Sequence, residues 1–205
     1  MKLYNAAFSP FGRKVVLYAN LLGIKTITEE RIDIFNPPPG YEKINPLFKL
    51  PALQLGMNDV IYDSPLICQY LEEVCSERHI LPLQGQKRWF QLRLQALADG
   101  VMDAAILRRL ESVRAKVHFD EKFDQRQNQK IIHGLKDLND AVSHFSDDWQ
   151  KFGIGELAAL CAKGYLDFRL PHANYRQYAP RLWDFYDETT KQWPLFHKTE
   201  PRNFL

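Results

Sequence analysis

Strand signals stop early in this chain, and that asymmetry narrows the fold more than any other feature. Lys2-Leu3-Tyr4-Asn5 reads as a short strand, and the β-branched, alternating stretch from Thr26 to Ile34 as a second. Ala52-Leu53-Gln54-Leu55 and Val60-Ile61-Tyr62 flank Gly56-Met57-Asn58-Asp59 and predict an antiparallel hairpin. Past that hairpin only helical periodicity remains. Lys87 to Lys116 and Glu121 to Phe145 are long helical patterns; Glu156 to Leu170 and Arg181 to Gln192 are shorter ones. The expected organisation is an α+β domain over 1–76, a linker over 77–86 carrying Pro82 and Gly85, and an all-α helical bundle over 87–205. No internal repeat or low-complexity tract is present.

The first part also carries two matched helix starts. Ser9 is a good N-cap and Pro10 a good first helical residue; Val15, Val16, Ala19 and Leu22 form the stripe, and Gly23 the stop. Ser64-Pro65 repeats the signature ahead of Leu66, Ile67, Tyr70, Leu71 and Val74. Between them Asn36-Pro37-Pro38-Pro39-Gly40 is a loop, since three prolines suit neither helix nor inner strand. The order is βαβ, loop, ββα.

Composition excludes several classes. Lys+Arg of 27 against Asp+Glu of 25 leaves a formal charge of +2, too balanced for a dedicated nucleic-acid binder. No run of about 18 apolar residues exists, and Tyr18 and Asn20 interrupt the stretch from Val15 to Leu22, so neither a membrane span nor a signal peptide is expected. Cys68 and Cys75, seven residues apart on one predicted helix, would hold their Cα atoms about 10 Å apart, too far for a disulfide. With Cys161 the only other cysteine, a reducing cytoplasm is the expected home. His79, His118, His133, His144, His172 and His197 lack ligand spacing, so no metal is expected.

Three segments can carry chemistry. Ser9 caps a helix, and that alone would explain it. A helix start also favours an anion, and a serine hydroxyl can donate to a thiolate held there. Lowering a thiol by two pH units corresponds to roughly 2.7 kcal/mol, a plausible yield for one hydroxyl plus one helix end. Pro51, directly before a strand, is compatible with either peptide isomer. Asp63-Ser64 is a second helix start, where Ser64 and the N–H groups behind it could hold a carboxylate beside an ammonium met by Asp63. Lys49 could meet a further carboxylate or be simply solvated.

Taken together, Ser9-Pro10-Phe11-Gly12-Arg13, Asn45-Pro46-Leu47-Phe48-Lys49-Leu50-Pro51 and Tyr62-Asp63-Ser64-Pro65 resemble the cytosolic glutathione S-transferases, specifically bacterial members with a serine at the first helix. Leu97 to Ala104 and Gly164-Tyr165-Leu166-Asp167-Phe168-Arg169 are similar to a bacterial branch of that family. The resemblance implies a thioredoxin-like βαβαββα domain, an all-helical second domain, a homodimer, a cytoplasmic detoxification role and glutathione as cosubstrate. It implies Ser9 as the catalytic hydroxyl. It implies glutathione binding by Lys49, by the Leu50 backbone next to a cis Pro51, and by Asp63 and Ser64. The electrophile would be small and apolar; Phe8, Phe11, Met102 and Ile106 are candidates to line its pocket, with ordinary core packing the alternative. Neither a nucleic-acid nor a membrane partner is expected.

This sequence departs from the family pattern in three places. Gly-Lys-Val-Pro becomes Phe48-Lys49-Leu50-Pro51, which adds bulk. Asp63 stands where Glu is more usual. The Ser/Thr-x-x-Asp cap of the buried helix reads Gly153-Ile154-Gly155-Glu156, keeping the acid and losing the hydroxyl. Two alternatives to the transferase stay open: a binding or regulatory protein with little turnover, and a glutathione-dependent isomerase or dehalogenase. Gly153-Ile154-Gly155-Glu156-Leu157-Ala158 matches a dinucleotide fingerprint but lacks an apolar strand before it. No Cys-x-x-Cys occurs, so dithiol exchange is not expected. Cys161 reads as core, and Arg108, Arg109, Arg114 and Lys116 as complements to a helix C-terminus.

Overall fold

In a computed structural model of the chain, describing residues 1–57 and 59–203, the strand signals fold into one four-stranded sheet of order β2-β1-β3-β4. The strands are β1 (Lys2–Asn5), β2 (Thr28–Arg31), β3 (Ala52–Gln54) and β4 (Val60–Ile61). β1 pairs parallel with β2 and antiparallel with β3, and β3 pairs antiparallel with β4. Leu3, Tyr4 and Asn5 are all buried, because a central strand has no solvent face for alternation to show. β2 is an edge strand, and its charges guard it: Lys2 Nζ lies 2.8 Å from Glu30, and Arg31 Nε 2.8 Å from Glu29. The expected hairpin is present in β3 and β4, although Asn58 of its turn lies outside the described residues.

The helices of this part are α1 (Pro10–Leu21) and α2 (Ser64–Cys75). In place of a full helix between β2 and β3 stands a single 3-10 turn, Tyr41–Lys43, confined between Pro37-Pro38-Pro39-Gly40 and Pro46. The core combines Leu3 and Leu53 from the sheet with Val15, Leu17, Ile67 and Leu71 from the helices. Tyr18 of α1 donates to the buried Glu72 carboxylate of α2, which also accepts the Ile80 N–H and so ties down the chain leaving α2.

The chain divides into two compact units. One is Met1–Ile80 together with the C-terminal stretch from Leu195; the other is Leu81–Pro194. The C-terminal stretch therefore groups with the sheet, where the helical pattern had continued the bundle to the end. Its anchor is Arg13, buried on α1. Arg13 donates to the Phe196 carbonyl at 3.0 Å and to Thr199 Oγ1 at 3.3 Å, with its guanidinium 4.2 Å from the Phe196 ring centre.

The second unit holds α3 (Gln86–Ser112), α4 (Glu121–Ala141), α5 (Ile154–Arg169) and α6 (Pro180–Gln192); a short α7 (Pro194–Lys198) follows. α5 is the centre: every residue from Ile154 to Leu166 is buried, and α3 and α6 pack against it. Its one buried cation, Lys163, lies 2.9 Å from Asp167 and 3.6 Å from the Tyr186 ring centre. Arg108 corrects its sequence reading as a helix-end charge. It grips Asp124 with two bonds of 2.7 Å and reaches Asn128 at 2.8 Å and Tyr175 Oη at 2.5 Å, tying α3 to α4 and to the turn after α5. Among the described residues no helix is long and apolar enough to cross a membrane.

Candidate functional site

Strand directions bring the three chemistry-bearing segments to one end of the sheet. β1 runs antiparallel to β3, with Tyr4 opposite Ala52, so the chain leaving β1 toward Ser9 emerges beside the start of β3. β3 runs antiparallel to β4, with Leu53 opposite Ile61, so the exit of β4 toward Asp63 emerges there too. Segments up to 54 residues apart in sequence share one end of the sheet.

Ser9 is the N-cap of α1, with extended φ −75° and ψ 115°, and is 7 % exposed. Its Oγ accepts the Gly12 N–H at 3.1 Å. A hydroxyl accepts through lone pairs and donates through its proton, so capping leaves that proton for an outside acceptor. Pro10 has no N–H and that of Gly12 is taken, which leaves the Phe11 N–H as the open donor of the first turn. Gly12 has no room for a side chain. A Cβ there would lie 1.6 Å from Asn5 Oδ1, a buried atom without a hydrogen-bond partner. Ser9 also lines a cavity of about 40 Å³ with Asn5, Arg13, Arg31, Thr199 and Arg202, room for water but not for a peptide.

The Leu50–Pro51 peptide is cis. The loop before it is held by two side chains that the sequence did not single out. The Tyr41 hydroxyl and Asn45 Nδ2 each donate to the Lys49 carbonyl at 2.9 Å, and Asn45 Oδ1 accepts the Leu47 N–H at 3.0 Å. Burial pushes the Tyr41 phenol well above its ordinary value and keeps that donor protonated. The Leu50 side chain packs on the cluster of Tyr4, Ile32, Tyr41 and Ala52, while its backbone lies just outside the ladder, which starts at Ala52. Lys49 is exposed.

Asp63 occupies the N-cap position of α2, one residue earlier than the sequence suggested, and makes no side-chain capping bond. The Tyr62–Asp63 peptide is cis. Asp63 is exposed, Ser64 is 1 % exposed, and neither side chain is spent on the helix start. Of the four pocket candidates, Phe8 stacks on Phe35 with ring centres 6.1 Å apart, and Phe11 lies 5.7 Å from Lys14 Nζ. Met102 is fully buried on α3 and Ile106, one turn on, is half-buried.

A thioredoxin-like sheet with a capped α1, a cis proline and an open α2 start at one end, followed by an all-helical part, defines the glutathione transferase class of architecture. Known proteins agree. Residues 8–74 match the family described as Glutathione S-transferase, N-terminal domain. The chain is 33 % identical, over 82 % of its length and 83 % of the relative's, to an uncharacterized GST-like protein, YibF, of Escherichia coli K12. It is 34 % identical to a glutathione transferase family member of Pseudomonas fluorescens Pf-5 solved with bound glutathione, at a TM-score of 0.90 covering 98 % of this chain and 99 % of that one. A second structure of a Pf-5 family member carries S-(propanoic acid)-glutathione, with 34 % identity, a TM-score of 0.85, and coverage of 99 % and 100 %. This chain belongs to the glutathione S-transferase family.

Proposed function

We propose that this protein is a glutathione transferase in which Ser9 stabilises the glutathione thiolate for attack on a small electrophile. The observation that carries the reading is the state of Ser9: its lone pair holds the Gly12 N–H, and its proton is available at the start of a helix. In the ground state the thiol loses its proton to solvent. The thiolate then accepts from the Ser9 hydroxyl, and the partial positive charge of the α1 start favours the ionised form. Its lone pair forms the C–S bond. The electron pair displaced from carbon departs with a leaving group or, on an activated double bond, takes a proton from water.

The remaining residues orient the tripeptide. Leu50 offers backbone N–H and C=O to the cysteinyl unit, in the manner of a very short added strand. Ser64 and the first N–H groups of α2 meet the γ-glutamyl carboxylate, Asp63 meets its ammonium, and Lys49 the glycyl carboxylate. Two features support this. Neither Asp63 nor Ser64 is consumed by capping, and the Lys49–Pro51 loop is fixed by Tyr41 and Asn45 before any ligand arrives. The glutathione thioether bound to the Pf-5 relative supports conjugation as the reaction. A homodimer working in the cytoplasm in detoxification completes the proposal.

The test is calorimetric titration of glutathione into wild type and Ser9→Ala, with ultraviolet thiolate absorbance followed across pH. Binding with a thiolate signal that Ser9→Ala removes supports the transferase. Binding with no such signal moves the protein to a ligand-sensing role, and no binding at millimolar glutathione ends the reading.

A further inference from the structure

Ser9 stands between two residues that the far end of the chain holds. Ala7, two residues before it, accepts the Arg202 N–H at 3.3 Å through its carbonyl. Arg13, four residues after it, donates its backbone N–H to the Ser9 carbonyl at 3.0 Å and sends its side chain to the same C-terminal stretch. There Nη2 meets the Phe196 carbonyl and Nε meets Thr199 Oγ1, and Thr199 Oγ1 donates in turn to the Phe196 carbonyl at 3.0 Å. The Ser9 N–H is spent on the Ala6 carbonyl at 2.9 Å. Both segments line the small cavity beside Ser9, Ala6, Ala7 and Arg13 from one and Thr199 and Arg202 from the other. All of these residues belong to the unit that carries the sheet.

A buried guanidinium needs its donors met, and docking a chain end asks for no more than that. The contacts here go further. Arg13 is 3 % exposed and Phe196 fully buried, yet the stretch continues past them and returns to the backbone on the other side of Ser9, at Ala7. A five-residue helix has little stability of its own, so α7 keeps its place through these contacts and passes that constraint to the residues it touches. The backbone is thereby fixed on both sides of one hydroxyl. A misplacement of about 1 Å is enough to cost a group that must meet a reacting atom much of its effect.

We propose that Arg13 is a positioning residue for Ser9, and that the C-terminal stretch it holds, closed by the bond from Arg202 to Ala7, fixes the hydroxyl where the thiolate is met. The catalytic value of this clamp rests on the transferase reading; the clamp itself does not. Geometry rather than charge is its means. Lysine at position 13 keeps the cation and loses the fork that reaches two acceptors, which makes Arg13→Lys the informative substitution.

The thiolate absorbance of bound glutathione, followed across pH, reads the effect in wild type, Arg13→Lys, Arg202→Pro and Arg202→Ala. Arg202→Pro removes the N–H given to Ala7 together with an exposed side chain, and Arg202→Ala removes the side chain alone. Arg13→Lys and Arg202→Pro should raise the thiol midpoint by about half to one pH unit, toward the free value of about 8.5, and Arg202→Ala should leave it in place. Both shifts should vanish when the substitutions are made on Ser9→Ala, which a merely structural role would not produce.

Amide exchange gives a readout that needs no ligand. The Gly12 N–H, held by Ser9 Oγ, should exchange about 10-fold faster in Arg13→Lys and Arg202→Pro, while that of Leu71, in the core of the same unit, keeps its rate. Equal acceleration of both amides reduces Arg13 to a stability contact and overturns the proposal. So does a thiol midpoint that neither variant moves, or a shift that persists without Ser9; the transferase reading survives all three results. A wild type with no thiolate signal ends that reading instead. Exchange at Gly12 then decides alone: faster exchange in the two variants upholds the clamp, and an unchanged rate overturns it.

Discussion

The Oε1 of Gln91 accepts the Gly155 N–H at 2.9 Å, linking α3 to the first turn of the buried helix α5. This bond supplies what Gly153 cannot. A capping hydroxyl is missing from Gly153, and only the reciprocal half of the motif remains, with Glu156 accepting the Gly153 N–H. Gln91 Nε2 donates to the same Glu156 carboxylate at 3.2 Å, so one amide serves both groups. Gln91→Ala should leave the Gly155 N–H unsatisfied and cost about 1–3 kcal/mol in urea unfolding. Gly155→Ala should cost a similar amount by overpacking, since its Cβ would sit 2.6 Å from Leu94 Cβ and 2.8 Å from the Gln91 backbone oxygen. Unchanged midpoints in both variants would show that the helices do not meet this closely.

Glu156 gives the same contact a pH signature. Burial raises its carboxyl above the ordinary value of 4.5, against the bonds from Gly153, Gln91 and Ser146 that pull it back. A raised folded-state value means that folding binds the proton more tightly than the unfolded chain does. The associated stability is complete below about pH 4.5 and is lost as pH rises through the folded value. Relative to Glu156→Gln, wild type should therefore lose stability between about pH 4.5 and neutrality. Urea midpoints of the two proteins measured at both ends of that window check the sign; a gap that widens in favour of wild type contradicts it.

Local signals survived the passage from sequence to structure, and pairings distant in sequence did not. Ser9-Pro10 starts α1 as its local chemistry predicts, because cap and φ are properties of two residues. The long helical patterns kept their identity but not their ends: α3 stops at Ser112 and α4 at Ala141, each followed by a 3-10 turn. The bulk of Phe48 was legible, but its positive φ was not. Arg13 looked like part of a helix-start motif. Its bonds to Phe196 and Thr199, more than 180 residues away, depend on a five-residue helix too short for periodicity to reveal. Tyr41 and Asn45 were invisible as supports because their partner is a carbonyl, which leaves no mark on composition.

Phe48 occupies left-handed backbone, with φ +48°, in the loop ahead of Pro51. A β-carbon makes that region unfavourable by about 1–2 kcal/mol, which glycine avoids. Phe48 is 47 % exposed and its ring centre lies 6.4 Å from that of Tyr41, so little packing offsets the conformation. The informative comparison is Phe48→Gly against Phe48→Ala, since both remove the ring. The Gly variant should be more stable by about 0.5–1 kcal/mol, the reverse of their order in a helix or strand. Glutathione affinity of the pair, measured alongside, reports whether the ring limits access to the loop. Ala equal to or above Gly would mean that the loop relaxes out of the left-handed region.

Asn5 and Gly12 set the position of Ser9 by a contact that tolerates nothing between them. The Cβ of an alanine at position 12 would lie 1.6 Å from Asn5 Oδ1 and 2.4 Å from Cγ, so either the amide or the first turn of α1 must move. Asn5 is central in the sheet and 4 % exposed, which gives its side chain no simple exit. Gly12→Ala should therefore cost about 2–3 kcal/mol and, by displacing the Ser9 cap, weaken the thiolate signal as well. Asn5→Ala should be milder, because it removes a buried oxygen that has no hydrogen-bond partner. In the double variant the clash is gone, so the two changes should couple by about 1–2 kcal/mol in the favourable direction. Additive losses in that cycle would mean that Gly12 is needed for its backbone and that the amide does not press on α1.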